Sequence, residues 1–298
     1  MHLLITGAWQ NYAEYAEKIK QLGHNVAFMQ FEKDELPCDP KWVEGIIGNG
    51  FFLHHNIEEF PNLSYIQLTS AGLDRVPMDY VQSHSIKIYN ARGVYSVPMA
   101  ELAISGVLQL LKQTKFFNKT QQNHEWEKRR DLRELCGQTV CVVGCGSVGT
   151  ECAKRFKAFG CEVIGVDLFD VTDKTYDETY NISDLSKALP ETDVLVLTLP
   201  LTEQTKGIIN AERFAELKDN SIVVNIARGA VVETSALINS LKTKLFGAVL
   251  DVFETEPLDE NSELWDMENV ILTPHNSFVS DGNAKRLADV ILGNLKEN

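Results

Sequence analysis

Three stretches of this chain each end an apolar run on a group able to do chemistry. "SIVVNIARGAVVE" places Arg228 after its run, "GAVLDVFETEPLDE" offers Asp251 and Glu256, and "NVILTPHNS" presents His275. A histidine can give or take a proton near neutral pH. An arginine is a permanently charged planar fork suited to a carboxylate. Taken singly, each also reads as something plainer: a surface arginine, a solvated acidic loop, a satisfied histidine. Their common placement, just past the end of a strand-like run, is what links them. In a parallel sheet the carboxyl ends of the strands form one edge, and ligands bind there.

A fourth stretch supplies a partner for that edge. "VCVVGCGSVGTECAKRF" holds Gly144, Gly146 and Gly149 in a GxGxxG spacing between a β-branched run and an amphipathic one. The first glycine permits a tight turn, the second lets backbone approach a pyrophosphate, and the third lets helix and strand pack closely. Ser147 and Val148 then bring N–H groups to a helix start, where the dipole favours an anion. The next run, "CEVIGVDLFD", ends on Asp167, about 20 residues on, where a carboxylate can hold ribose hydroxyls. No cation follows in "DLFDVTD", and a 2′-phosphate would meet Asp167, Asp170 and Asp173. The cofactor expected is therefore NAD rather than NADP.

The elements that must carry these groups fall into two sets. Residues 1–90 alternate short apolar runs ("HLLIT", "NVAFM", "VEGIIGNG", "LSYIQLTS", "SIKIYN") with helical stretches, the rhythm of βα units. A long helix is expected across "SVPMAELAISGVLQLLKQTKFF", with Ser96 as its cap and Pro98 in its first turn. After a polar stretch come six further strands, "TVCVVG" to "NVILT", enough for a complete doubly wound sheet, and then a terminal helix. The fold class is α/β, with two lobes.

Composition bounds the partners. The 298 residues carry a formal net charge of -14, which repels nucleic acid and anionic membranes on average. No apolar run approaches the ~18 residues of a membrane span, and "MHLLITGAWQ" reads as a first strand rather than a leader. The six cysteines form no CxxC pair, so buried reduced thiols in a cytoplasmic protein are expected, with no metal. His54 and His55 sit in a loop of the first lobe and read as structural.

Together "VGCGSVG", "LPLTEQTKGIIN", "NIARGAVVE", "LDVFETEPL" and "NVILTPH", with "QLTSAGLDRV" and "ARGVYSVPMAE" earlier, resemble the D-isomer-specific 2-hydroxyacid dehydrogenase family over nearly the whole chain. The resemblance implies two Rossmann-like doubly wound parallel-sheet domains, the NAD domain (95–276) inserted into a smaller flavodoxin-like substrate domain (1–94 and a returning helix, 277–298). It places the catalytic arginine, glutamate and histidine at Arg228, Glu256 and His275, with Asp251 beside the nicotinamide carboxamide. Pro200, Thr205 and Ala227 fall on positions lining the cofactor, and Ala71 and Gly72 on backbone facing the substrate carboxylate.

On that basis the chain is expected to interconvert a D-2-hydroxy acid and its 2-keto acid, His275 exchanging the proton, Glu256 pairing with it and Arg228 holding the carboxylate. The family also contains D-3-phosphoglycerate dehydrogenases, and the fold serves NAD(H)-sensing corepressors. Only Arg75 and Arg92 offer charge to a phosphate in the first lobe, which favours small uncharged-tail acids, with Phe278 and Tyr95 as apolar walls. "NSFVSDGN" departs from the small, glycine-rich stretch many members carry after the histidine. A homodimer is implied, with the helix from Pro98 and the arm around Trp126 as its interface.

Overall fold

The structure is a computed structural model and describes residues 1–297. The chain divides into two compact units, unit 1 comprising Met1–Tyr95 with Ser280–Asn298 and unit 2 comprising Ser96–Val279. The boundaries expected at 94/95 and 276/277 thus shift to 95/96 and 279/280. The second shift has a visible cause: the Ser277 N–H is bonded to Asp251, which keeps the residues after His275 with unit 2.

In unit 1, strands β1 (His2–Thr6), β2 (Asn25–Met29), β3 (Gly45–Gly48), β4 (Tyr65–Leu68) and β5 (Lys87–Tyr89) form a parallel sheet in the order β2-β1-β3-β4-β5. Helices α1 (Ala16–Gln21) and α2 (Met78–Ser83) are short, and a 3-10 turn over Tyr12–Tyr15 opens the stretch expected as one longer helix. β1, β3 and β4 are almost wholly buried and mostly apolar because both faces of a parallel sheet are covered. The terminal helix, Asn283–Lys296, supplies part of that cover through Leu287, Ala288, Ile291 and Leu295, a helical stripe packed with Leu3 and Ile5. Asn294 Nδ2 also donates to the buried Gln67 Oε1 at 2.7 Å, giving that strand amide a partner.

Unit 2 opens with α3 (Ser96–Leu111) and α4 (Thr114–Gln122). They replace the single long helix expected: Gln113 turns left-handed at φ 49, and the polar "NKTQQ" is helical. Ser96 is the first helical residue rather than the cap, and its Oγ is buried with no hydrogen-bond partner. Seven parallel strands follow, one more than expected: β6 (Thr139–Val143), β7 (Glu162–Asp167), β8 (Glu178–Asn181), β9 (Val194–Leu197), β10 (Ile222–Asn225), β11 (Gly247–Leu250) and β12 (Val270–Leu272). Their order is β12-β11-β10-β9-β6-β7-β8. The added strand, "ETYN", is polar and mostly exposed at the edge, so no apolar periodicity marks it. Helices α5 (Ser147–Ala158), α6 (Leu185–Ala188), α7 (Ala211–Glu216) and α8 (Thr234–Thr243) complete the unit, and a buried apolar layer lies on each face of the sheet. α3 approaches the sheet closely at Gly106, where a β-carbon would stand 2.5 Å from Val249 Cγ1. No described helix is long and apolar enough to cross a membrane.

Candidate active site

The carboxyl ends of β10, β11 and β12 are adjacent, with Asn225, Leu250 and Leu272 in register. Just past them the chain presents Arg228, Glu256 and His275. Asn225 shapes the first loop: buried itself, it accepts the Ala227 N–H at 3.1 Å and donates Nδ2 to the Arg228 carbonyl at 3.1 Å. Arg228 is exposed in extended backbone, its guanidinium donating to the Ala227 carbonyl at 2.7 Å. The next residue must be glycine for a physical reason. A β-carbon on Gly229 would fall on the Phe253 carbonyl carbon, so the loops after β10 and β11 touch backbone to backbone there.

Glu256 and His275 form a hydrogen-bonded pair. His275 Nδ1 lies 2.8 Å from Glu256 Oε2, while the other carboxylate oxygen accepts the Phe253 N–H at 3.0 Å. One carboxylate thus faces both the imidazole and its own loop. His275 sits at φ 51, in the left-handed region that few non-glycine residues occupy. Asp251 explains how that turn is held. Its carboxylate is fully buried and accepts Thr273 Oγ1 at 2.6 Å, the Asn276 N–H at 2.8 Å and the Ser277 N–H at 3.1 Å. Its carbonyl accepts the His275 N–H at 2.8 Å. Four donors from residues 273–277 therefore converge on one aspartate. Sequence reading offered Asp251 a place beside a cofactor but missed this organising role. The available signal was an aspartate ending an otherwise apolar strand, a position that is buried only when its oxygens are satisfied.

Beside the pair lies a cavity of about 580 Å³, walled by Phe253, Leu258, Trp265 and Leu272 and reached by Glu256 and His275. Phe278 stands edge-on to the His275 ring with centroids 6.3 Å apart.

The glycine loop lies at the end of β6. Gly144 has φ 100, and a β-carbon there would come within 2.7 Å of the Leu199 nitrogen. One on Gly149 would overlap the Gly144 carbonyl oxygen, which itself accepts Thr198 Oγ1 at 2.6 Å. α5 starts directly at Ser147 with Gly146 as its cap, so the first N–H groups of a 12-residue helix are free of intrahelical partners. Asp167, at the end of β7, accepts the Cys145 N–H at 2.6 Å and so joins the loop to the next strand. The cradle and the carboxylate fit a dinucleotide: a tight glycine turn, an uncapped helix start, and an acidic strand end beside it. Cys145 is no nucleophile here, since burial pushes its thiol up to about 12. Past β9, Thr205 is buried and its hydroxyl donates to the Pro200 carbonyl at 2.7 Å, which fixes that loop. Ala227 is buried.

In unit 1, Ala71 and Gly72 lie in the turn after β4, where Asn90 Nδ2 donates to the Ala71 carbonyl at 2.7 Å. Arg75 and Arg92 are both exposed. His55 is structural, stacked on Phe51 and bonded to the Glu32 carbonyl at 2.8 Å. Tyr95 donates its hydroxyl to the Thr69 carbonyl at 2.5 Å.

Comparison with known proteins gives this arrangement its family. Residues 104–277 match the model of the D-isomer specific 2-hydroxyacid dehydrogenase NAD-binding domain. The chain is 35% identical over 223 residues to a hydroxypyruvate reductase of Thermotoga maritima, covering 74% of this chain and 72% of that protein. It is 33% identical over 221 residues to a D-3-phosphoglycerate dehydrogenase of Archaeoglobus fulgidus, covering 74% of this chain but 42% of that longer one. A crystal structure of D-lactate dehydrogenase from Aquifex aeolicus, complexed with NAD and lactic acid, superposes with a TM-score of 0.78 at 25% identity, over 99% of this chain and 94% of that one. With the glycine cradle, Asp167 and the strand-end trio in place, the chain belongs to the D-isomer specific 2-hydroxyacid dehydrogenase family and is an NAD-dependent oxidoreductase of 2-hydroxy acids.

Proposed function

We propose that the enzyme interconverts a small D-2-hydroxy acid and its 2-keto acid, with glyoxylate, hydroxypyruvate or pyruvate as the keto partner. The observation that carries this reading is the 2.8 Å Glu256–His275 pair, set one strand from Arg228 on the edge that also carries the glycine loop. NAD, when bound, supplies or accepts the hydride. The protein supplies the rest. With Nδ1 donating to Glu256, His275 keeps Nε2 for the proton that the keto oxygen gains on reduction and loses on oxidation. Glu256 fixes the ring and balances its positive charge. Arg228 binds the substrate carboxylate through its fork and polarises the ketone.

For the cofactor we assign Gly144, Gly146, Ser147, Val148 and Gly149 to the pyrophosphate, Asp167 to the ribose hydroxyls, Pro200, Thr205 and Ala227 to the walls, and Asp251 to the nicotinamide end. In unit 1 the backbone of Ala71 and Gly72 is assigned to the substrate carboxylate. The apolar cavity beside His275 and the Thermotoga relative's name support an uncharged tail. Arg75 and Arg92 and the Archaeoglobus relative's name support the second reading, a D-3-phosphoglycerate dehydrogenase. We further propose a cytoplasmic homodimer. All six cysteines are free thiols, and Trp126 is 91% exposed on an arm without helix or strand, a surface that suits burial against a second copy.

Oxidation of NADH with a panel of 2-keto acids tests the substrate. Hydroxypyruvate or glyoxylate is expected to give the highest kcat/KM. A clear preference for 3-phosphohydroxypyruvate would move the enzyme to the second reading.

A further inference from the structure

We propose that Glu32 is a specificity-determining residue: its carboxylate fills a place in unit 1 built to receive an anion, and so excludes 2-keto acids with a phosphate tail. The inference rests on the proposed function, whose uncharged-tail substrate it explains, and on the assignment of the turn at Ala71 and Gly72 to that substrate.

The sheet order locates the place. In the order β2-β1-β3-β4-β5, strands are added first on one side of β1 and then on the other, so the order reverses between β1 and β3. Open parallel sheets bind ligands in the crevice past such a reversal. Here the end of β1 supplies the Thr6 hydroxyl, and the turn after β3 supplies two successive backbone N–H groups, those of Asn49 and Gly50. Successive N–H groups make a concavity for an anion. It is already filled. Glu32, three residues past β2, accepts Thr6 Oγ1 at 2.9 Å and the Asn49 N–H at 2.6 Å on Oε1, and the Gly50 N–H at 2.8 Å on Oε2. Gly48 leaves the carboxylate its room, since a β-carbon there would stand 2.6 Å from Oε1.

The filled place adjoins the substrate turn. The Thr69 N–H donates to the Gly48 carbonyl at 2.9 Å, so the turns after β3 and β4 leave the sheet side by side. Arg75, a cation that a phosphate would need, runs beside the first of them. Its Cδ and Glu32 Oε2 lie 3.9 Å and 3.5 Å from one point, where a β-carbon on Gly50 would sit. Asp74 sets a second carboxylate against Gly72. A phosphate tail would therefore find the N–H groups and the hydroxyl taken, and Glu32 and Asp74 offsetting Arg75. A methyl or hydroxymethyl tail asks for none of these. Selectivity of this kind comes from repelling the wrong ligand as much as from holding the right one.

Two measurements on the full chain test this, one with turnover and one without. The first compares kcat/KM for 3-phosphohydroxypyruvate and for hydroxypyruvate in wild type, Glu32→Gln and Glu32→Ala. The ratio of phosphorylated to plain acid is expected to rise at least about fivefold in both variants, since only the charged tail is relieved of repulsion. Arg75→Ala placed in Glu32→Ala should remove the gain. The second is calorimetric titration with inorganic phosphate, which is expected to bind Glu32→Ala and not wild type. A ratio within about twofold of wild type in both variants, the two acids falling together, is the signature of a merely structural carboxylate and would overturn the proposal. Phosphate bound as tightly by wild type as by Glu32→Ala would overturn it too. A wild-type preference for the phosphorylated acid would instead overturn the uncharged-tail reading beneath it.

Discussion

Asp251 is the residue on which the geometry of the site depends most. It touches Thr273, Asn276 and Ser277 with its carboxylate and His275 with its carbonyl, so the histidine's left-handed turn is held from one buried point. Asp251→Ala would strand three donors in a dry environment, each worth about 1–3 kcal/mol when unsatisfied. The expected result is a loss of at least about 2 kcal/mol in urea unfolding together with a steep fall in kcat, because the turn carrying His275 loses its anchor. Asp251→Asn keeps one acceptor oxygen and should lie between. Wild-type stability in Asp251→Ala would show that the turn is held by other means. The Glu256 carboxylate is different: it is partly exposed and bonded to one N–H and one imidazole, so its loss strands fewer buried donors.

At the scale of elements, the loops after β10 and β11 are locked by a contact that no side chain can relieve, backbone of Gly229 on backbone of Phe253. Gly229→Ala would push the two loops apart and swing Arg228 from its place, at a packing cost of about 1–3 kcal/mol. A several-fold rise in KM for the keto acid is expected, larger in proportion than any change in NADH affinity. An unchanged KM would separate Arg228 from substrate binding. These elements also show what a sequence discloses. Parallel strands buried on both faces, such as "SIVVNI" and "TVCVVG", are legible because burial forces an apolar run. The placement of Arg228, Asp251 and His275 just past strand ends is legible because each apolar run stops shortly before them. β8 was not legible, since "ETYN" is polar and lies mostly exposed at the sheet edge. The break between α3 and α4 was hidden for a related reason: Gln113 adopts a left-handed conformation that its side chain does not announce. Asp251's four donors come from a segment 22 or more residues away, and no local pattern records such a convergence.

Over the whole molecule, charge and exposed surface carry the expectation. A net charge of -14 sets up repulsion between copies on average, yet the stretch 123–133, which carries the exposed Trp126, holds Lys128, Arg129, Arg130 and Arg133 against Glu125, Glu127 and Asp131. The dimer proposed above would cover Trp126 on this locally basic arm with the acidic surface of a second copy. Light scattering across a dilution series is expected to give the mass of a dimer, and Trp126→Ala to shift it toward the monomer. A stable wild-type monomer at all concentrations would reject the dimer.

In the proposed mechanism His275 is the group that exchanges the substrate's proton. The most direct measurement is pre-steady-state NADH oxidation by wild type and His275→Ala with the best keto acid of the panel, alongside NADH binding to both. A slowing of about 10²–10⁴-fold in the chemical step of the variant is expected, with NADH affinity retained. A variant that turned over at nearly the wild-type rate while binding NADH normally would contradict it.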